Sequence, residues 1–222
     1  MPKTAQREEI EIKLRVSDVA AVRRQLKHLQ AREIAPRTHE SNTLYDTPRR
    51  DLKRRGRLIR IRIERPASSF GETRPDENAA AVLTYKGPPR LSRNTQKPGR
   101  HSKIRGHFKI KDEAEVLASP ADRLPRILRG IGLQPVFRYE KFRTTYALRG
   151  VRGLKIELDE TPIGIYLELE GPVAGIHRAA RLLGYRREDY LKDSYGSLYL
   201  GECRRHGRTP SDMLFPPIKK LR

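Results

Sequence analysis

Pairs of like-charged side chains recur along the chain, each pair flanking one aliphatic or aromatic residue. The pairs are Glu9 and Glu11, Arg60 and Arg62, Lys141 and Arg143, Glu157 and Asp159, and Glu168 and Glu170. Successive side chains of a β-strand point to opposite faces, so the two members of a pair share one face. A basic face can bind phosphate oxygens, and a carboxylate face can hold a hard cation such as Mg²⁺. The two kinds of face together indicate a site for a metal-chelated phosphate chain.

The segments that carry these pairs are typical of β-strands, because charged and apolar residues alternate with a period of two. We expect strands over residues 9–16, 41–45, 57–64, 81–86, 103–110, 139–148, 154–159 and 164–170. Apolar residues recur at helical spacing in four other segments, which predicts helices over about residues 19–29, 120–130 and 173–183 and a short one that starts at residue 193. Amphipathic helices need an apolar surface to cover. A sheet that curls with its charges inside and its aliphatic face under helices meets both demands, which predicts an α+β fold.

The composition favours a polyanionic partner. The chain has 222 residues, with 48 Lys and Arg against 27 Asp and Glu, and therefore a formal net charge of +21. Such an excess attracts nucleic acid, phosphorylated metabolites or acidic surfaces. Only 6% of the residues are aromatic, and they do not interleave with the basic strand faces. This distribution argues against an RNA-binding module.

Other features bear on the compartment and the domain organisation. The single cysteine, Cys203, excludes an internal disulfide and a thiolate zinc cluster. No apolar run approaches the roughly 20 residues of a membrane helix, and residues 1–9 lack the apolar stretch of a signal peptide. We therefore expect a cytoplasmic protein without a membrane partner. Residues 1–201 are interpreted as one domain, and residues 202–222 as a basic, proline-containing tail that is a candidate for poor order.

A series of motifs occurs in one order along the chain. They are Glu9-x-Glu11-x-Lys13, Arg60-x-Arg62, Thr84-Tyr85-Lys86-Gly87-Pro88, Glu140-Lys141-x-Arg143, and Leu158-Asp159 followed by Gly164 and Glu168-x-Glu170. From about Glu9 to Tyr199 this series resembles the CYTH family, also called the triphosphate tunnel metalloenzymes. That family includes class IV adenylate cyclases, thiamine triphosphatases and inorganic triphosphatases. One such triplet is common in amphipathic strands, whereas the ordered series is specific.

The resemblance implies a closed eight-stranded antiparallel β-barrel, a tunnel with a charged interior that is covered by flanking helices. It assigns the binding of substrate phosphates to Arg60, Arg62, Lys86, Arg105, Lys141 and Arg143. It assigns Mg²⁺ or Mn²⁺, hard ions that prefer oxygen ligands, to Glu9, Glu11, Glu157, Asp159, Glu168 and Glu170. Lys13 and Lys192 are the catalytic candidates, for charge stabilisation at the transferred phosphoryl group. The alternative role of Glu157 is a salt bridge with Lys155. The alternative for Lys192 is a plain surface charge at the start of a helix.

Two departures from the family pattern bear on function. The family has Glu-x-Glu after its arginine in the strand that begins near residue 103, whereas His107 and Lys109 follow Arg105 here. This difference predicts a more cationic interior. Class IV cyclases carry a His-Phe pair six residues ahead of the first Glu, where this chain has Lys3 and Thr4. The second departure favours hydrolysis over cyclisation.

The leading hypothesis is a metal-dependent hydrolase of a short triphosphate, such as inorganic triphosphate, thiamine triphosphate or a nucleoside triphosphate. The alternatives are a class IV adenylate cyclase and a non-catalytic module that binds polyphosphate or RNA. The expected partner is a triphosphate-containing small molecule or a polyphosphate, with nucleic acid less favoured. The oligomeric state stays open, a homodimer included. A basic run at residues 49–55 lies outside the alternation, and at the tunnel mouth it would steer anionic substrate.

Overall fold

Eight β-strands and five helices make up the described part of the structure, a computed structural model that covers residues 7–71, 80–88 and 109–217. The strands are β1 (Arg7–Val16), β2 (Arg32–Asp46), β3 (Leu58–Pro66), β4 (Ala81–Lys86), β5 (Lys109–Ala118), β6 (Gln134–Ala147), β7 (Lys155–Thr161) and β8 (Gly164–Glu170). The helices are α1 (Val19–His28), α2 (Asp51–Arg54), α3 (Arg123–Gly130), α4 (Val173–Leu182) and α5 (Tyr195–Arg205), with 3₁₀ turns at Ala67–Ser69 and Arg187–Asp189. Of residues 7–9 and 109–111 only the backbone is described.

Each strand pairs with two antiparallel neighbours, in the order β1-β5-β4-β3-β2-β6-β7-β8. β1, the first strand in this order, pairs with β5 over residues 7–11 and with β8, the last strand, over residues 11–16. Isolated bridges also join Leu191 to Lys13 and Met213 to Tyr139. The expected eight antiparallel strands with flanking helices are confirmed.

The aliphatic face of β1, β7 and β8 lies under helices α1 and α4. Ile12, Leu167 and Ile176 are fully buried in this layer. Asp18 fixes the start of α1, because its carboxylate accepts a hydrogen bond from the Ala21 amide at 2.9 Å. Burial of one such aliphatic side chain contributes about 1.5–3 kcal/mol. The layer therefore holds the charged face of the three strands towards the interior.

A second apolar layer covers β2, β3 and β4, where α3 packs on the sheet. Leu124 and Leu128 of α3 belong to one buried cluster with Tyr45 and Ile61. Here too the aliphatic face lies outside and the charged face inside, as the period-two alternation predicts. None of the described helices has the length and apolar character that a membrane crossing requires.

Strand β5 differs from the strand expected over residues 103–110. It extends to Ala118, and residues 101–108 lie outside the described residues. A run of three charged residues at 111–113 hides the alternation in the sequence, so the second half of the strand is not recognised there. The shift matters for the site, because it changes which residues of this strand face the interior.

The C-terminal part of the chain continues past the expected domain boundary at residue 201. Helix α5 extends to Arg205. Met213 is 1% exposed, its amide donates to the Arg138 carbonyl at 2.9 Å, and its own carbonyl accepts from the Glu140 amide at 3.0 Å. The chain around Met213 therefore lies along β6. The division into 1–201 and 202–222 stays a prediction, and residues 218–222 lie outside the described residues.

Candidate functional site

Residues from all eight strands line a cavity of about 1230 Å³. Its wall carries the basic residues Lys13, Arg60, Arg62, Lys86, Lys141, Arg143 and Lys155 and the acidic residues Glu11, Glu40, Glu64, Glu113, Glu115, Glu157, Glu168 and Glu170. The strands bring these residues together because each contributes the side chains of one face. Charges removed from water raise the free energy of the folded protein unless opposite charges compensate them. The pairing of these groups therefore decides what the cavity can bind.

Lys141 and Arg143 are anchored by Asp159 of β7. Arg143 donates from Nε to Oδ1 at 2.7 Å and from Nη2 to Oδ2 at 2.6 Å, and Lys141 Nζ donates to Oδ2 at 3.1 Å. Tyr195, at the start of α5, donates its hydroxyl to the same carboxylate at 2.5 Å. Asp159 is fully buried, and in the described part of the chain it does not belong to the cavity wall. The carboxylate thus positions two basic side chains, and its role as a metal ligand stays a prediction.

Glu11, Glu157 and Glu168 form an acidic cluster on β1, β7 and β8. Glu168 lies opposite both Glu157 and Lys13 in the strand register. Burial and the neighbouring Glu168 carboxylate raise the pKa of Glu157 to about 7, although Arg143 opposes this change. Burial alone would raise the pKa of Glu168. The positive charges of Lys13 and Arg143, together with a hydrogen bond from Glu11, hold this pKa well below its usual value. The cluster therefore contains carboxyl groups that compete for the available positive charge.

Lys13 lies between the acidic cluster and α5. Its Nζ is 3.3 Å from a Glu11 oxygen, 3.4 Å from a Glu168 oxygen and 5.1 Å from the ring centre of Tyr195. Burial alone would lower the pKa of Lys13, but Glu11 and Glu168 hold it above its usual value. The side chain is therefore a permanent buried cation, which is what charge stabilisation at a phosphoryl group requires.

The opposite wall of the cavity pairs β3 and β4 with β5. Arg60 donates to Glu115 at 3.4 Å, and Arg62 lies 3.5 Å from the same carboxylate. Lys86 Nζ lies 3.1 Å from Glu113. Glu113 and Glu115 stand two residues apart on one face of β5, and both line the cavity.

The expectation that this strand lacks its two carboxylates is wrong. Lys111, Glu113 and Glu115 have the spacing of the family's basic residue and Glu-x-Glu pair, and the two glutamates face the interior. The pattern expected to start at Arg105 starts six residues later, at Lys111, because β5 continues past residue 110 to Ala118. The more cationic interior inferred from that placement loses its basis. Arg105 and His107 lie outside the described residues, as do the side chains of Glu9 and Lys109.

Glu40 of β2 is a site residue that the sequence analysis did not identify. It is 2% exposed, and its carboxylate lies 3.3 Å from Lys141, 3.6 Å from Arg143 and 3.7 Å from Arg62. Burial alone would raise the pKa of Glu40, but these cations hold it at about 2. Glu40 lies outside the strand predicted over residues 41–45, because β2 begins nine residues earlier, at Arg32. With the strand extended, Glu40 shares a face with Asn42, and this spacing is the signal that the sequence offered.

The remaining predicted residues differ in their placement. Glu170 lines the cavity and lies 3.6 Å from Lys155. Glu157 contacts Arg143 in place of its alternative partner Lys155. Lys192 is exposed, and it is not among the described residues of the cavity wall. The structure therefore brings Glu170 and Glu157 to the site, and the role of Lys192 stays a prediction.

The carboxylates of the cavity suit a hard divalent cation in type. Glu11, Glu157, Glu168 and Glu170 offer oxygen donors, which Mg²⁺ and Mn²⁺ prefer. Glu11 and Glu168 are close enough to share a hydrogen bond, a position where a cation could replace the proton. Within the described residues, no three His, Cys, Asp or Glu side chains are arranged to hold a metal ion. Lys13 and Arg143 lie among the carboxylates instead, so metal ligation requires these side chains to move.

Comparison with known proteins adds to this geometry. Among models of known protein families, the CYTH domain matches residues 7–195. A search of curated proteins finds no match to the chain. The PH1819 protein from Pyrococcus horikoshii OT3 is 22% identical, with 87% of this chain and 99% of that chain covered and a TM-score of 0.61. HpAC1 from Hippeastrum, described as having a dominant triphosphatase activity, is 20% identical over 91% of this chain and 97% of its own, with a TM-score of 0.54.

A proposed adenylate cyclase from Vibrio parahaemolyticus is 18% identical, with 86% of this chain and 96% of that chain covered and a TM-score of 0.64. At these identities the similarity shows the fold. The family match is broader in meaning, because it spans most of the chain and includes the strands that carry both charged walls. The chain therefore belongs to the CYTH family.

Proposed function

We propose that this protein is a metal-dependent hydrolase of a short triphosphate. The observation that carries the proposal is the position of Arg143, which contacts Asp159, Glu157 and Glu168 at once. It joins the phosphate-binding side of the cavity to the carboxylate side. Adjacent basic and acidic groups of this kind suit a phosphate chain chelated by a cation. The triphosphatase activity described for HpAC1 supports the choice.

The closed barrel is part of the same proposal. Each strand has two antiparallel neighbours, and β1, the first strand of the order, also pairs with β8, the last. Side chains from all the strands would then surround one cavity, which would act as a tunnel. Such an enclosure excludes water and strengthens the attraction between its charges and a phosphate chain.

Two arginines and a lysine on the β3–β4 side would bind phosphate oxygens. Arg60 and Arg62 present planar forks that match two oxygens each, whereas Lys86 acts as a point charge. Arg60 Nε is buried and has no hydrogen-bond partner among the described residues. A bound phosphate would take the place of Glu113 and Glu115 on these cations. Lys141 and Arg143 would complete the grip from the opposite wall.

The metal-binding role falls to Glu11, Glu157, Glu168 and Glu170, with Glu9 and Asp159 as further predicted ligands. A bound Mg²⁺ or Mn²⁺ would neutralise phosphate charge and supply an activated water. Lys13 would stabilise the charge on the transferred phosphoryl group, because it is buried, cationic and beside this cluster. Removal of one such preorganised group costs about 10²–10³ in turnover.

The test is product analysis on the purified full-length chain. Inorganic triphosphate, thiamine triphosphate and ATP are each incubated with Mg²⁺, with Mn²⁺ and with chelator. The expected result is metal-dependent release of phosphate without a cyclic nucleotide. Cyclic AMP from ATP would replace the proposal with a class IV adenylate cyclase. Tight binding without any turnover would replace it with the non-catalytic module. A cytoplasmic location and the oligomeric state stay predictions.

A further inference from the structure

The basic side chains of the cavity differ in whether they have a partner. Arg60, Lys86 and Lys141 each lie within 4 Å of a carboxylate. Lys53 and Arg57 line the same cavity, yet neither forms an ion pair with any described residue. Both are exposed, so they stand where the cavity opens to solvent. Among the described residues, the inner cations are therefore neutralised before a ligand arrives, whereas Lys53 and Arg57 at the opening are not.

The segment that carries the outer cations, the short turn around α2, is held in place by a buried acid. Asp46 is 3% exposed. Its carboxylate accepts the amide hydrogens of Thr47 at 2.7 Å, Leu52 at 2.9 Å and Lys53 at 2.9 Å. Hydrogen bonds from backbone to a buried carboxylate fix the course of a turn. Lys53 is thus attached to an ordered backbone, which lowers the entropy that binding costs.

Arg50 is a third cation at the same opening. Its backbone is left-handed, with φ at 60°, a conformation that non-glycine residues adopt at a cost of about 1–3 kcal/mol. Its Nη1 donates to the Val136 carbonyl at 3.3 Å, which places the guanidinium on the cavity wall. Two aspartates also line the described part of the cavity: Asp212 is engaged by Arg138 Nε at 2.7 Å, and Asp46 accepts the backbone amides of the turn. Among the described residues, the opening therefore keeps an excess of positive charge.

We propose that Arg50, Lys53 and Arg57 form a second anion site, which binds the outer part of a linear inorganic polyphosphate longer than three phosphates. The site rests on the proposed function, because the end of the chain would occupy the inner grip. Arg57 precedes Arg60 by three residues, at most about 10 Å along an extended backbone. A phosphate chain held by Arg60 and continuing outward would meet the unpaired cations next. Inorganic triphosphate would be held by the inner cations alone.

The experiment compares two double variants of the full-length chain that each lose two positive charges. Lys53→Gln with Arg57→Gln removes cavity-lining cations. Arg54→Gln with Arg55→Gln is the matched control, because these residues belong to the same turn and are not among the described residues of the cavity wall. Equilibrium binding is measured in chelator with inorganic triphosphate, with long-chain polyphosphate and with a 5′-triphosphorylated RNA oligonucleotide, at several salt concentrations.

The expected result is a loss of about tenfold in polyphosphate affinity at low salt for the Lys53 and Arg57 variant, with a smaller loss for triphosphate. The dependence of its polyphosphate affinity on salt should also weaken, because fewer counterions are released. Equal losses in both double variants would overturn the proposal, since net charge alone would explain them. A loss confined to the RNA would overturn it in favour of a nucleic-acid site. Triphosphate hydrolysis, assayed in parallel, reports on the proposed function separately.

Discussion

The two charged walls of the cavity hold their ion pairs at different depths. On the β1, β6, β7 and β8 side, Arg143 is paired with Asp159, whose side chain is 0% exposed. On the β3, β4 and β5 side, Arg60 and Arg62 are paired with Glu115, whose side chain is 39% exposed. The pair with Asp159 is therefore cut off from water, whereas the pairs with Glu115 are in contact with it.

This difference changes what each wall can do. A buried pair loses hydration on both partners, so removal of one partner leaves a charge without compensation. A half-exposed pair is worth little, because water replaces the lost partner at small cost. The pair of Arg143 with Asp159 should fix the geometry of the site. The pairs of Arg60 and Arg62 with Glu115 should exchange the carboxylate for phosphate when a ligand enters.

The largest effect that we predict is on stability, at the buried anchor. Asp159→Asn should lower the free energy of unfolding by about 3 kcal/mol, the low end for a broken buried pair. Lys141, Arg143 and Tyr195 lose a charged acceptor, while Glu40, Glu157 and Glu168 still compensate the two cations. Urea denaturation followed by circular dichroism measures this change. Glu160→Gln is the control on the next residue, where Arg37 forms a forked contact of 2.9 Å on the outer face. Its cost should stay below about 1 kcal/mol, and equal costs in the two variants would contradict the comparison.

The second prediction concerns the fork of Arg143. Arg143→Lys keeps the charge but cannot contact Asp159 and a phosphate in two-pronged geometry. Turnover of inorganic triphosphate should fall about a hundredfold, as measured by phosphate release at saturating substrate. Arg37→Lys changes the same residue type on the outer face and should retain activity. Unchanged turnover in Arg143→Lys would show that charge alone suffices at this position.

The third prediction separates the acidic cluster from other carboxylates of the cavity. Glu168→Gln should weaken Mn²⁺ binding by about 10–100-fold, a loss in the range seen when the ligand environment of a metal is altered. Titration calorimetry without substrate measures this affinity independently of turnover. Glu64→Gln is the control, since Glu64 lines the cavity near Arg62 and its side chain is 48% exposed. Equal effects of the two variants would place the metal elsewhere in the cavity.

The sequence predicted the fold well where alternation is regular. Ile165, Leu167 and Leu169 occupy every second position, and β8 has the predicted bounds of residues 164–170. The helix at 173–183 ends within one residue of prediction, because its apolar face repeats at helical spacing and Gly184 follows. Regular periodicity of this kind reports directly on which face is buried.

The rest could not be predicted because it depends on partners distant in sequence. The three charged residues at 111–113 interrupt the alternation of β5, so Glu113 and Glu115 were missed. Glu40 is identified only by the cations that surround it, which come from β3 and β6. Met213 pairs with a single residue of β6, and one bridge leaves no periodic trace in the sequence.

The smallest predicted effect tests exchange at the pairs of Arg60 and Arg62 with Glu115. Glu115 accepts a hydrogen bond from Thr84 at 2.8 Å and competes with phosphate for Arg60 and Arg62. Glu115→Gln should therefore strengthen the binding of inorganic triphosphate in chelator by about fivefold, equivalent to about 1 kcal/mol. Glu202→Gln removes one charge from α5 outside the described cavity wall, and its effect should be smaller. Weaker binding in Glu115→Gln would mean that this carboxylate positions the arginines instead of competing with the ligand, and the two walls would then differ in depth alone.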